Sequence, residues 1–197
     1  MQYNGSLTRE QFMFREMRIV ARLKLEGLNE QDIFVRVYED NLFQYPTERE
    51  IKSKLRACMR RIDSISDLPY MLDALANSTI AEAKQAALVA LMCQSLLMQD
   101  FMITVIGDKF RRLDMTLTRR DMNLFFVRLA EQSDDVAAWS DQTIQKLKVV
   151  IRSCLRETEY IHGTEETLYP VLISDEFAAA LKDAGCRNFL PAFNVFD

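Results

Sequence analysis

Glycine and proline are scarce in this sequence, five and four residues of 197. Tight turns between strands draw heavily on both, so a sheet-rich domain is disfavoured. The abundance of Ala, Leu, Met, Gln, Arg and Glu points instead to an all-α protein. Histidine occurs once, at His162, with no metal-ligand residue patterned around it. The four cysteines (Cys58, Cys93, Cys154, Cys186) are widely spaced and form no C-x-x-C pair, which suits buried, reduced thiols in a cytoplasmic protein. The longest unbroken apolar run, Ala86–Cys93, is far shorter than the roughly 20 residues that span a bilayer. The first ten residues carry no apolar signal-peptide core, so a soluble protein without membrane insertion is expected. Phosphate-binding glycine loops, G-x-S-x-G and H-E-x-x-H are all missing, and one histidine without a Ser or Cys partner gives nucleophilic catalysis no footing. Asp134-Asp135 and Glu165-Glu166 fall at predicted helix breaks, where solvated capping carboxylates are far more common than a two-metal site. The expectation is a non-enzyme with no cofactor and no metal.

What is present is a run of amphipathic helical patterns. Thr8 with Gln11 makes a capping box, predicting a helix from there to about Glu26, with Phe12, Ile19, Val20 and Leu23 on its apolar side. Arg15, Arg18 and Arg22 line its polar side. Asn29 caps a second helix to about Asp40, with Ile33, Phe34, Val37 and Tyr38 turned one way. A third helix follows from Thr47 to Ile65, opened by the capping box of Thr47 and Glu50. Residues 1–66 therefore read as an N-terminal three-helix unit with the outline of a helix-turn-helix, and 67–197 as a helical bundle, either separate from it or continuous with it. In the bundle, Asp67 caps a short helix. An apolar Ala-rich helix runs from Thr79 to about Met98, and Phe101–Phe110 continues helically. Helices from Thr118 to Gln132 and from Ser140 to Glu157 follow, the first with Leu124, Phe125 and Leu129 buried. Residues 167–173 are rich in β-formers and predict a short extended segment, and a last helix starts at Ser174.

The third helix is the informative one. Ile51, Leu55, Cys58 and Ile62 share a face at core spacing, while Arg49, Lys52, Arg56 and Arg60 recur at i, i+3, i+7 and i+11 on another. Six basic residues stand between Arg49 and Arg61 against one acidic, Glu50. A helix that buries one side and shows a positive ridge on another is suited to phosphates, although a plain solvated face has the same pattern. The net charge of −4 is unevenly spread: residues 1–65 carry 12 Lys/Arg and 10 Asp/Glu, net +2, and residues 66–197 carry 13 and 19, net −6. A nucleic-acid face would thus be local and N-terminal. Secondary basic groups are Lys109, Arg111, Arg112, Arg119 and Arg120, and the edge Lys148, Arg152 and Arg156.

Several stretches are similar to one family. They are Glu16–Ala21 (EMRIVA), the Asn41-Leu42 turn, the helix end Arg61-Ile62, Asp100-Phe101, and Val136–Thr143 (VAAWSDQT) continuing through Lys146, Leu147 and Leu155. On these the chain resembles the BrxA family, the small accessory protein of bacterial BREX (bacteriophage exclusion) systems. The resemblance covers almost the full length. It implies a role in phage defence beside other BREX proteins, a helical bundle like the NusB type of nucleic-acid-binding protein, and DNA binding without a catalytic motif. The expected function is then a non-catalytic accessory protein that binds double-stranded DNA mainly through phosphates. Arg49, Lys52, Arg56 and Arg60 would lie on the DNA, with Arg15, Arg18 and Arg22 reaching the flanking backbone if both stripes share a surface. The alternative is a protein-interaction adaptor within the BREX complex that touches no nucleic acid.

Overall fold

The computed structural model describes residues 2–196. Twelve α-helices follow in order among them: α1 (Leu7–Glu10), α2 (Phe14–Leu25), α3 (Glu30–Glu39), α4 (Glu48–Asp63), α5 (Pro69–Asn77), α6 (Ile80–Gln94), α7 (Leu96–Phe101), α8 (Asp108–Arg111), α9 (Arg119–Gln132), α10 (Asp134–Ala137), α11 (Asp141–Glu157) and α12 (Asp175–Asp183). A π-helical turn, Met102–Gly107, joins α7 to α8, and a 3₁₀ segment, Arg187–Phe193, follows α12. The all-α architecture is as composition predicts. The extended segment near 167–173 shrinks to one antiparallel bridge, Thr116 to Thr167, with no strand among the described residues.

The chain forms two compact units. One is Met13–Gln94; the other combines the chain up to Phe12 with everything from Ser95 on. Helices α2, α3 and α4 lie in a wider group that also holds α5 and α6, while α1 belongs to the other unit. The predicted helix from Thr8 to Glu26 is two helices, because Gln11 and Met13 take φ of 53° and 57°, a left-handed backbone that ends any α-helix. Thr8 does not cap: its hydroxyl donates to the Gly5 carbonyl at 2.8 Å. The helix expected to run from Thr79 to Met98 stops at Gln94, where Ser95 turns extended (φ −120°, ψ 106°) and its side chain caps α7.

In the first unit α6 is the strut. Ala83 and every residue from Gln85 to Met92 are buried, and the small Ala side chains let α5 and α4 approach closely. Helix α2 packs on α5 and α4, and α3 on α4. Asn29 caps α3 through the Asp32 N–H at 3.0 Å, and Thr47 caps α4 through the Glu50 N–H at 3.3 Å. The turn between them is closed by Asn41 and Tyr45, which exchange side-chain-to-backbone hydrogen bonds of 3.0 and 3.1 Å. The Tyr45 hydroxyl donates to Glu16 at 3.0 Å, and burial beside that carboxylate pushes its pKa up to about 12.

In the second unit the N-terminal segment is strapped down by side chains: Gln2 donates to Asp135 at 2.7 Å, and the Tyr3 hydroxyl donates to Asp100. Helix α1 packs on α11. Gly107 closes the π turn where the 3₁₀ segment crosses. A Cβ there would meet Pro191 at 3.0 Å and its backbone at 3.2 Å, so no larger residue fits without moving the main chain. Tyr160, wholly buried, stacks on Phe110 and donates to the Ala192 carbonyl at 2.9 Å. Leu124, expected in the core, is 41% exposed, because α9 turns Phe125, Phe126 and Leu129 inward instead.

A charged cluster ties α8 to α9. Lys109 meets Asp114 at 2.8 Å and Asp121 at 3.0 Å. Asp121 also accepts from the Thr118 N–H and hydroxyl, each at 2.8 Å, in a capping box. Burial alone would lower the Lys109 pKa, but its bonds to Asp114 and Asp121 outweigh that and raise it. Asp114 is held low by Lys109 and then Thr116. For Asp121 burial pushes upward, and the Thr118 and Lys109 hydrogen bonds overcome it to lower the pKa. Depressed carboxylates stabilise the fold above their unfolded pKa, and a raised lysine stabilises it below its own. The stability gap between the wild type and Lys109→Met should therefore be widest and level from about pH 5 to about pH 10, and narrow outside it. Thermal midpoints at pH 2.5, 7 and 10.8 test this; a gap unchanged at pH 2.5 contradicts it.

Candidate nucleic-acid interface

Helix α4 buries Ile51, Leu55, Ala57, Cys58, Met59, Arg61 and Ile62, which confirms the apolar face read from spacing. It also draws in Arg61, fully buried, with its Nη1 3.7 Å from the Met17 sulfur of α2. The stripe on the other side stays outward: Arg49, Arg56 and Arg60 are exposed and Lys52 partly so. Arg49 and Arg56 have no hydrogen-bond or ion-pair partner among the described residues. Lys52 is engaged, 3.7 Å from Glu48 and 4.8 Å above the Tyr38 ring. A hydrogen bond to Glu48 raises the Tyr38 pKa.

Beside this stripe runs α3. Phe34 and Tyr38, one turn apart, have nearly parallel rings (19°) with centroids 6.5 Å apart. Between the helices lies a groove of about 180 Å³, with Phe34 as a wall, Leu55 and Met59 as floor, and Arg56, Arg60, Glu30 and Asp63 at the rim. Asp63 is met by Lys24 at 2.6 Å. The sequence showed Phe34 and Tyr38 only as part of an inward face. Their partial exposure comes from the way α3 leans on α4, which no pattern within α3 encodes.

The arginines of α2 have a different fate. Arg18 donates to the carbonyls of Ala76 (3.3 Å) and Ser78 (2.8 Å), and Arg22 to Ala76 (2.9 Å). Both guanidiniums cap the C-terminus of α5, where unsatisfied carbonyls and the helix dipole favour cations. Burial and then the neighbouring Arg22 lower the Arg18 pKa. Arg15 is exposed and without a partner among the described residues. The α2 stripe is thus drawn to α5 and the α4 stripe to α3, while α2 and α4 meet through Met17 and Arg61, outside both stripes.

Cations of the second unit are mostly spent on their own chain. Arg111 and Arg112 reach Asp108 at 2.8 and 3.6 Å. Lys148 donates to Asn123 at 2.7 Å, and Arg152 to the Glu165 carbonyl at 3.0 Å. A cleft of about 550 Å³ beside the π turn is lined by Asp100, Asp108, Lys109, Arg112, Phe125 and Arg128 among others. Charges of both signs face it, and most are paired. No group of three or more metal-ligating side chains occurs among the described residues, and the His162 ring lies tilted against Tyr169, centroids 4.5 Å apart.

Comparison with known proteins places this geometry. The BrxA family model matches residues 1–185. The chain belongs to the BrxA family. A family relative from Bacillus cereus (strain H3081.97), named BREX protein BrxA, is 30% identical over 186 residues, 92% of each chain. Another of that name, from Escherichia coli O9:H4 (strain HS), is 25% identical over 94% of this chain and 87% of its own. In fold, the chain matches the crystal structure of an uncharacterized protein from Magnetospirillum magneticum with a TM-score of 0.82, at 22% identity and 98% coverage of both chains.

The division between capping and unpaired arginines has a measurable consequence. Arg22→Ala should cost about 1–2 kcal/mol, as for a hydrogen bond from a charged donor, or roughly 3–6 °C in Tm for a chain of this size. Arg56→Ala should leave Tm within about 1 °C, the usual outcome at an exposed unpaired site. Equal losses from the two, read by differential scanning fluorimetry, would contradict the assignment.

Proposed function

We propose that this family member is a non-catalytic, DNA-binding accessory protein of a BREX phage-defence system, contacting duplex DNA mainly through phosphates. The observation that supports the reading is the outward stripe of α4: two guanidiniums, Arg49 and Arg56, without a hydrogen-bond or ion-pair partner among the described residues, on a helix that buries its apolar face. Arg60 and Lys52 extend the stripe along the same side. Arg15 is available to reach flanking backbone, whereas Arg18 and Arg22 serve by holding α5. The DNA-contacting part is the three-helix portion within residues 1–66. Guanidiniums without an accompanying Asn/Gln reading face favour positioning on the backbone over base readout in a groove. The relatives' name, BREX protein BrxA, supports other BREX proteins as partners. No single helix among the described residues is long and apolar enough to cross a membrane, in keeping with a role in the cytoplasm.

A second reading, a protein-interaction adaptor within the complex that touches no nucleic acid, is favoured by the carboxylates Glu30 and Asp63 beside Arg56 and Arg60 and by the overall charge of −4, both of which repel a polyanion.

Fluorescence anisotropy with a labelled duplex at several salt concentrations separates the two. Four phosphate contacts give a log–log slope of about −3.6, and each of Arg49→Ala, Lys52→Ala, Arg56→Ala and Arg60→Ala should flatten it by about 0.9. No binding at low salt supports the adaptor, and an unchanged slope in the fourfold variant moves the face to other cations such as Arg119, Arg120 and Arg156.

A further inference from the structure

We infer that the groove between α3 and α4 seats one unpaired base of a DNA strand whose phosphates lie on Arg56 and Arg60. This inference rests on the DNA-binding reading above and goes beyond its duplex contact, placing a locally unpaired strand at this groove. Phosphate contact alone accounts for the basic stripe but gives no use to the aromatic wall beside it. Phe34 is partly exposed at the groove, with Leu55 and Met59 as an apolar floor. Together they form a surface on which a flat ring can stack, and stacking beside a cationic track is how single strands are held. The near-parallel Phe34 and Tyr38 rings, with Lys52 above Tyr38, continue that track along α3.

The rim chemistry is specific. Glu30 and Asp63 share the groove edge with the two arginines. Carboxylates repel a phosphate but accept hydrogen bonds from the imino and amino N–H groups of a base edge. A groove with guanidiniums on part of its rim, carboxylates elsewhere and an aromatic wall therefore matches a whole nucleotide better than a phosphate. Its volume, about 180 Å³, lies below the roughly 300–1,000 Å³ of drug-sized ligand sites. One ring system fits and a dinucleotide cofactor does not. Inside a duplex the bases are stacked away from such a surface, so the base that enters is unpaired.

The test uses the full chain and two labelled 12-nucleotide single strands of one sequence, one intact and one with abasic sites in its central third. Anisotropy at low salt should show the intact strand bound about tenfold more tightly than the abasic one, within the range of base–aromatic stacking. Phe34→Ala should lose about tenfold on the intact strand and nothing further on the abasic strand, because base and ring are two halves of one contact. Phe34→Trp should restore the preference. Equal affinity of the wild type for both strands overturns the base pocket and leaves the phosphate reading standing, and that arm needs no variant. An equal loss from Phe34→Ala on both strands, with altered far-UV circular dichroism, assigns Phe34 to packing and also overturns it. Failure of the wild type to bind either strand or the duplex removes the DNA reading itself.

Discussion

The packing of α4 against three neighbours, α2, α3 and α6, is the constraint on which the rest of the N-terminal part depends. A helix of sixteen residues with seven buried has little freedom to rotate. A turn of about 100° moves each position to the next face, which would bring Arg56 or Arg60 into the core and send Leu55 or Ile62 into water. The charge pattern on its surface is therefore fixed by what it buries. The same logic extends to α2. Its apolar residues Met17, Val20 and Ala21 set its rotation, and that rotation delivers Arg18 and Arg22 to the open end of α5. Two stripes alike in sequence thus perform different work: one closes a helix terminus, and the other remains facing solvent.

In the second unit a different balance holds. Lys109, Arg111, Arg112, Lys148 and Arg152 are matched there by nearby carboxylates, a carbonyl and a side-chain amide. The Lys109 cluster sits beside a π turn, whose wider backbone ring is costly without support. Support comes from both ends: the salt bridges to Asp114 and Asp121 on one side, and the close crossing of Gly107 by Pro191 on the other.

Much of this was legible in the sequence. Asn29, Thr47 and Ser140 cap the helices expected of them, and helices begin after Thr118 and Ser174 as placed, whereas Leu68 and not Asp67 stands at the N-cap of α5, with no side-chain cap. The four apolar positions of α4 lie in the core. The failures share a cause, which is that the deciding partner is distant in the chain. Nothing around Thr8 announces that Gln2 and Tyr3 bind residues some hundred positions on, or that the helix must break at Gln11. Arg18 and Arg22 look like any solvated stripe until the end of α5 is placed against them. Phe34 and Tyr38 follow core spacing, yet the edge of α4 leaves them half-open. For the candidate site the sequence offered the cations of α4 and missed the aromatic wall facing them.

The chain's order of connection has a consequence for its synthesis. Residues 13–94 form a compact unit made wholly of consecutive sequence. The segment before it is another matter. Tyr3 and Gln2 find their partners only at Asp100 and Asp135, and Gly5 lies beside Thr143. As the polypeptide emerges N-terminus first, that segment has to wait, undocked, while more than a hundred further residues are made. The helices carrying the basic stripe can by then be folded. A segment made before the helices of the first unit is thus among the last to find its place, and it acts as a clasp on a body assembled after it.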